Sequence, residues 1–121
     1  MSECLFCKLA NANENLVWQN EWVAAFNDIH PKAPVHVLIA PKKHVTSLDA
    51  LDDVELAGHL LLAVRDVARM MGVSGNYRVA INTGRPAGQL IDHLHLHLLG
   101  PRPDQTYSTG GAEVDQATEL A

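Results

Sequence analysis

The chain is short of positive charge, of cysteine and of long apolar runs, and each shortage excludes something. Nine Lys and Arg residues stand against fourteen Asp and Glu, for a formal net charge of −5. No basic stripe is present, so nucleic acid is not an expected partner. No apolar run approaches the ~20 residues that span a bilayer, so no membrane partner is expected either. The start, Met1-Ser2-Glu3-Cys4, has neither the charged nor the apolar region of a secretory signal, and a cytoplasmic location is the expectation. The 121 residues suit one domain, and 47% hydrophobic residues suffice for one core. A chain this short gains from a dimer interface. No internal repeat is visible.

The two cysteines, Cys4 and Cys7, form a Cys-x-x-Cys pair. In a reducing compartment such a pair points to zinc or redox chemistry before a structural disulfide. A thioredoxin-like motif would follow a strand, and here nothing precedes it. Two small residues opening an amphipathic turn is the plainer alternative.

What the chain does have is His93-Leu94-His95-Leu96-His97. Strict alternation is the period of a strand. Alternate side chains of a strand share a face, about 6.6–7 Å apart. The pattern predicts a strand with His93, His95 and His97 on one face and Leu94, Leu96 and Leu98 in the core. Imidazole titrates near neutrality, and a neutral imidazole nitrogen is a good nucleophile toward phosphorus. Its other nitrogen must be held as a donor, for which a strand carbonyl serves. Nearby donors, such as His93, His97 and His36, would steady the phosphate oxygens. The rival reading of the tract is a metal site.

The rest of the pattern predicts an α+β domain on an antiparallel sheet. Residues 4–10 suit a short helix. Leu16-Val17-Trp18 and Glu21 to Asn27 suit a hairpin turning at Gln19-Asn20. Val35 to Ala40 suits a strand stopped by Pro41. A long helix opens at Asp52-Asp53 and runs to about Met71, with Val54, Ala57, Leu61, Val64, Ala68 and Met71 as its apolar face. Gly72 and Gly75 end it. Tyr77 to Asn82 suits another strand. A Gly-rich loop, Asn82 to Gln89, offers backbone N–H groups to a phosphate, although such glycines also serve as plain turn residues. The polar segment after Pro103 suits a mobile tail.

With these residues in view, the chain resembles the nucleotide-binding (Hint) branch of the histidine triad family. His93 to Leu99 matches the pattern His-φ-His-φ-His-φ-φ in full. Cys4-Leu5-Phe6-Cys7-Lys8, Phe26-Asn27-Asp28-Ile29-His30-Pro31, Ala33-Pro34-Val35-His36, Pro41-Lys42-Lys43-His44, Tyr77-Arg78-Val79, Asn82 with Gly84, and Ala87-Gly88-Gln89 follow the family's order and spacing.

The resemblance implies a five-stranded antiparallel sheet with one long and one short helix over residues 1–103. The sheet would extend across a homodimer, and residues 104–121 would form a tail. It implies hydrolysis of purine nucleoside phosphoramidates through a nucleotidyl-histidine intermediate, with a purine nucleoside monophosphate as ligand. By motif position His95 is the nucleophile, and His97 and His36 contact the phosphate and help the leaving group. Asn82, Gly88 and Gln89 line the phosphate side. Asp28 receives the ribose hydroxyls, and Leu5, Phe6, Phe26 and Ile29 enclose the base. A structural Zn²⁺ would sit on Cys4, Cys7, His44 and His93, and none would be needed for chemistry. His30 and His59 have no assigned role, and His59 suits a helix surface.

Other readings are a dinucleoside polyphosphate hydrolase or nucleotidyl transferase, and a nucleotide-binding regulatory module with incidental turnover. The chain departs from the family at Leu90, where the usual residue is a serine near the scissile bond. Leu90 would either face the leaving group or turn inward and pack. The tail also lacks the tryptophan-containing end of animal relatives.

Overall fold

The structure, a computed structural model, describes residues 4–103, so the expected tail lies outside the described residues. Its elements are α1 (Leu5–Asn11), β1 (Trp18–Gln19), β2 (Val23–Asn27), β3 (Val35–Pro41), α2 (Val54–Met70), β4 (Arg78–Ala80) and β5 (Leu96–Gly100). The five strands form one antiparallel sheet in the order β1-β2-β3-β5-β4. The expected α+β class holds, with one long and one short helix.

Period-two alternation gives the sheet two different faces. Ala25, Val37, Ile39, Leu96 and Leu98 point to α2 and join the main core with Leu56, Leu60, Val64 and Val67. Burying each large aliphatic side chain there is worth about 1.5–3 kcal/mol. The opposite face carries Phe26, Leu38 and His97, which are successive partners across β2, β3 and β5. Phe6 of α1 packs on Phe26 and Leu38, making a second, smaller cluster. The site is built on this face.

Several expectations shift. α2 starts after Asp53, whose side chain accepts from the N–H of Leu56 at 3.1 Å. It buries Leu56, Leu60, Ala63, Val64, Val67 and Ala68, whereas Val54 is 88% exposed and Leu61 is also exposed. Leu60-Leu61-Leu62 puts apolar residues on adjacent faces, so period alone did not choose between two stripes. The hairpin turns at 20–22, because Asn20 Oδ1 accepts from the N–H groups of Trp22 and Val23. β3 runs through Pro41, which pairs with Val23 at the ladder's end. β4 is only three residues long.

The histidine strand is also shorter than expected. Ladder pairing begins at Leu96, opposite Ile39. The main chain just before it is committed elsewhere. The N–H of His93 donates to Ile91 O and that of Leu94 to Val45 O, at 2.8 and 2.7 Å. Leu94, Leu96 and Leu98 all lie in the main core as expected, while His93 and His95 between them are buried outside that cluster.

Candidate active site and metal cluster

The local fold fixes which nitrogen of each histidine is free. His95 Nδ1 lies 2.7 Å from the carbonyl oxygen of His93. A carbonyl only accepts, so Nδ1 carries the proton and Nε2 keeps its lone pair. Nε2 has no hydrogen-bond partner among the described residues. The Phe6 ring meets the His95 ring edge-on, with centroids 4.8 Å apart.

A second chain of bonds orders His36 and His97. The Lys32 N–H donates to His36 Nδ1 at 2.9 Å. The neutral His36 ring therefore holds its proton on Nε2, which lies 2.9 Å from His97 Nδ1 and 3.4 Å from Asp28 Oδ2. His97 Nδ1 then accepts, and its proton sits on Nε2 as a free donor. Asp28, His36 and His97 bring three potential ligand atoms within 4.8 Å of one another. A cation there would need the lone pair of His36 Nε2, which the Lys32 N–H opposes. The trio is a hydrogen-bonded array.

Burial lowers the proton affinity of His97, with neighbouring His95 and His36 adding to the effect, to a pKa of about 4. Burial lowers that of His36 too, partly offset by Asp28. Both rings are neutral at neutral pH and can accept or relay a proton.

A stability prediction follows from the sign of these shifts. Below the ordinary histidine value of 6.5 the unfolded chain binds protons that the folded chain refuses. Stability is therefore full above that pH and falls as pH drops from there toward 4. For His97 the loss is about 2 kcal/mol after allowance for solvent screening. Thermal midpoints between pH 7 and pH 4 should decline, and a flat profile would contradict neutral, buried rings.

The loop before β5 is closed by Gln89. Gly84 and Gly88 take positive φ, +89° and +104°. A Cβ on Gly88 would make only ordinary contact with the Asn82 amide nitrogen, at 3.4 Å, so it is the positive φ that calls for glycine there. The Gln89 side chain accepts from the N–H of Gly84 and donates to the carbonyls of Thr46 and Ile91. Arg85 donates to Leu90 O at 2.8 Å and pairs with Asp92. Leu90 is 72% exposed, so it does not turn inward and pack.

Of the four expected base contacts, the structure brings together Phe6 and Phe26, whose centroids are 5.3 Å apart. Leu5 is exposed and Ile29 is 85% exposed, and neither joins a core cluster. Leu38, Leu9, Leu16 and Ile91 pack around the phenylalanines instead and were not singled out from sequence. Leu38 was legible there, since it alternates with His36 on β3. His59 lies on α2, stacked on Trp22 with centroids 4.4 Å apart. His30 is exposed, and its N–H donates to Asp28 Oδ1.

Cys4, Cys7, His44 and His93 converge, with one ligand atom of each within 4.8 Å of the others. His93 Nε2 lies 2.8 Å from Pro41 O and so carries the proton, leaving the Nδ1 lone pair toward the sulfurs. Nδ1 is 3.3 Å from Cys4 Sγ and 3.4 Å from Cys7 Sγ, and His44 Nδ1 is 3.1 Å from Cys7 Sγ. Tetrahedral Zn²⁺ with ordinary bond lengths needs S···N separations of about 3.5 Å. The donor set therefore fits that ion, as a closed site. Burial, with the Cys4 thiol beside it, pushes the Cys7 thiol up to about 11.

The chain resembles known proteins in sequence and in overall fold. An uncharacterised HIT-like protein of Synechocystis sp. is 46% identical over 90 residues, covering 73% of this chain and 79% of its own. The crystal structure of a HIT family hydrolase from Legionella pneumophila superposes with a TM-score of 0.77 at 38% identity, covering 89% of this chain and all of its own. A histidine triad nucleotide-binding protein from Candida albicans superposes with a TM-score of 0.73 at 26% identity, covering 98% of this chain and 92% of its own. The model of the HIT domain matches residues 10–104. With the histidine tract, the sheet and these matches in agreement, the chain belongs to the histidine triad (HIT) family.

Proposed function

We propose that this protein hydrolyses purine nucleoside phosphoramidates, attacking phosphorus with His95 Nε2 to form a nucleotidyl-histidine intermediate that water then cleaves. The observation that carries this reading is the bond from His95 Nδ1 to His93 O, which leaves Nε2 as a free lone pair. Attack forms the Nε2–P bond, breaks the P–N bond and releases the amine. His97, its Nδ1 accepting from His36, presents Nε2–H as a hydrogen-bond donor on the phosphate side, and the departing nitrogen takes its proton from solvent. Water then attacks the same phosphorus and returns a proton to solvent, releasing the nucleoside monophosphate and freeing His95 with its Nδ1 proton retained.

Asp28 is the acceptor for the ribose hydroxyls, and Phe6 and Phe26 form the floor of an apolar base slot. Leu5 and Ile29, exposed without ligand, would be covered by a bound base. Asn82 is the contact on the phosphate side, since the N–H groups of Ala87, Gly88 and Gln89 donate to Gly84 O and Arg85 O within the loop.

The names of the Legionella and Candida relatives, a hydrolase and a nucleotide-binding protein, support the class of reaction and ligand. Turnover of adenosine 5′-phosphoramidate to the monophosphate tests it. A protein that binds the monophosphate yet releases no amine would fit a regulatory module instead.

Zn²⁺ on Cys4, Cys7, His44 and His93 would be structural, since all four ligands come from protein and the nucleophile is not among them. A homodimer joined along β4 is part of the same reading. β4 is a sheet edge, Tyr77 and Val79 are partly exposed there, and Leu61 and Leu62 leave apolar surface on α2. A reducing, cytoplasmic location suits the two free thiols. No helix among the described residues is long and apolar enough to cross a membrane.

Leu90 gives a further prediction. Leu90→Ser restores the family's hydroxyl, and one hydrogen bond to a developing charge is worth about 1.5–3 kcal/mol, or roughly 10- to 150-fold in kcat. Because the side chain is exposed, stability should change by only about 0.5 kcal/mol. Single-turnover kinetics beside a melting curve measures both. A large fall in melting temperature with unchanged chemistry would contradict the assignment.

A further inference from the structure

Gln89 is 4% exposed, and no N–H on it is left for a phosphate. Its Oε1 accepts from the N–H of Gly84 at 2.9 Å. Its two amide protons go to Thr46 O and Ile91 O, at 2.7 and 3.0 Å. Its backbone N–H donates to Gly84 O at 3.0 Å. Gly84 and Gln89 are thus joined by two hydrogen bonds that close residues 84–89 into a ring.

The Thr46 bond extends a pattern. Pro41 O receives His93 Nε2–H, Val45 O receives the N–H of Leu94, and Thr46 O receives Gln89 Nε2–H. Three carbonyls of one short segment, 41–46, hold the ring, the main chain and the loop that together precede His95. This explains why the approach to β5 leaves the sheet ladder. The chain there is templated on segment 41–46, to which the Gln89 side chain is hydrogen-bonded.

We infer that Gln89 is a positioning residue that fixes the Gly84–Gly88 loop on segment 41–46, and so shapes the phosphate side of the site without touching the substrate. An amide is the side chain this place requires. It supplies one acceptor and two donors in one plane. A carboxylate would set like partial charges against Thr46 O and Ile91 O, and a thioether would leave Gly84 N–H unpaired.

The inference rests on the proposed nucleotide site, and its test separates the two. Gln89→Met and Gln89→Glu are compared with the wild type for affinity toward adenosine and adenosine monophosphate, and for hydrogen exchange at the Gly84 amide. The expected result is a loss of at least about tenfold for the monophosphate, with adenosine affinity unchanged within about twofold, and faster exchange at Gly84. A general loss of structure would weaken both ligands together, and that result overturns the inference. So does unchanged monophosphate affinity in a variant whose Gly84 exchange has risen. If the wild type binds neither ligand, the nucleotide reading fails. The exchange arm then still decides whether Gln89 holds the loop. If one variant does not fold, the other carries the comparison.

Discussion

Replacing His95 by alanine should lower turnover of an adenosine phosphoramidate by on the order of a thousandfold or more, with monophosphate affinity held within a few fold. The two quantities separate because they come from different groups. His95 supplies the bond to phosphorus, whereas Phe6, Phe26 and Asp28 supply contacts to base and ribose. A loss confined to kcat is the signature of an interaction made only on the way to the transition state. A thousandfold corresponds to about 4 kcal/mol of barrier, well beyond what removing one ground-state hydrogen bond explains. The His95 ring is buried against Phe6, so a melting curve is needed to exclude unfolding. His95→Asn, which keeps a polar group near His93 O, gives a second variant. Retention of more than a few per cent of wild-type turnover by folded His95→Ala would remove His95 from the nucleophile role.

The second large effect concerns the Cys/His cluster. Protein prepared without chelator should carry close to one zinc per chain, and Cys4→Ser or His44→Ala should lose it. The expected fall in melting temperature is about 10–20 °C, equivalent to roughly 2–4 kcal/mol for a domain of this size. The reason lies in what the cluster connects. Cys4 caps α1, Cys7 lies within it, His44 follows β3, and His93 precedes the nucleophile. Without a shared ion, α1 is held mainly by Phe6 and Ala10, its two buried residues. Turnover should survive metal loss better than stability does, because the ion touches no reacting atom. Metal analysis and melting curves on wild type, chelated wild type and the two variants measure this. Wild type that is isolated metal-free, with variants and chelated protein melting where it does, would reduce Cys4 and Cys7 to packing residues.

Much of this was legible in the sequence, for identifiable reasons. Leu94, Leu96 and Leu98 lie in the main core as their alternation predicted, although His93 and His95 between them are buried too, outside that cluster. The four metal-cluster residues converge as the family resemblance implied. The start of β5 was not legible. It is decided by the carbonyls of Pro41, Val45 and Thr46, which lie some fifty residues away in the chain. The α2 stripe was misjudged by one position, since neighbouring leucines offered two helical faces and only the sheet could select one. Gln89 was read as lining the phosphate side. Its saturation by Gly84, Thr46 and Ile91 depends on a fold that residue type cannot convey. The exposure of Ile29 and Leu5 has the same origin.

Trapping the covalent intermediate tests the central claim most directly. Wild-type protein is mixed with excess adenosine 5′-phosphoramidate, quenched in base within a turnover, digested and mapped by mass spectrometry. Base is used because a phosphorus–nitrogen bond to imidazole is labile in acid. The account predicts adenylate on the peptide containing residues 93–97, localised to His95 and absent in His95→Ala. Amine release with adenylate on another residue, or with no covalent adduct at any quench time while oxygen from solvent enters the monophosphate in a single direct displacement, would contradict it.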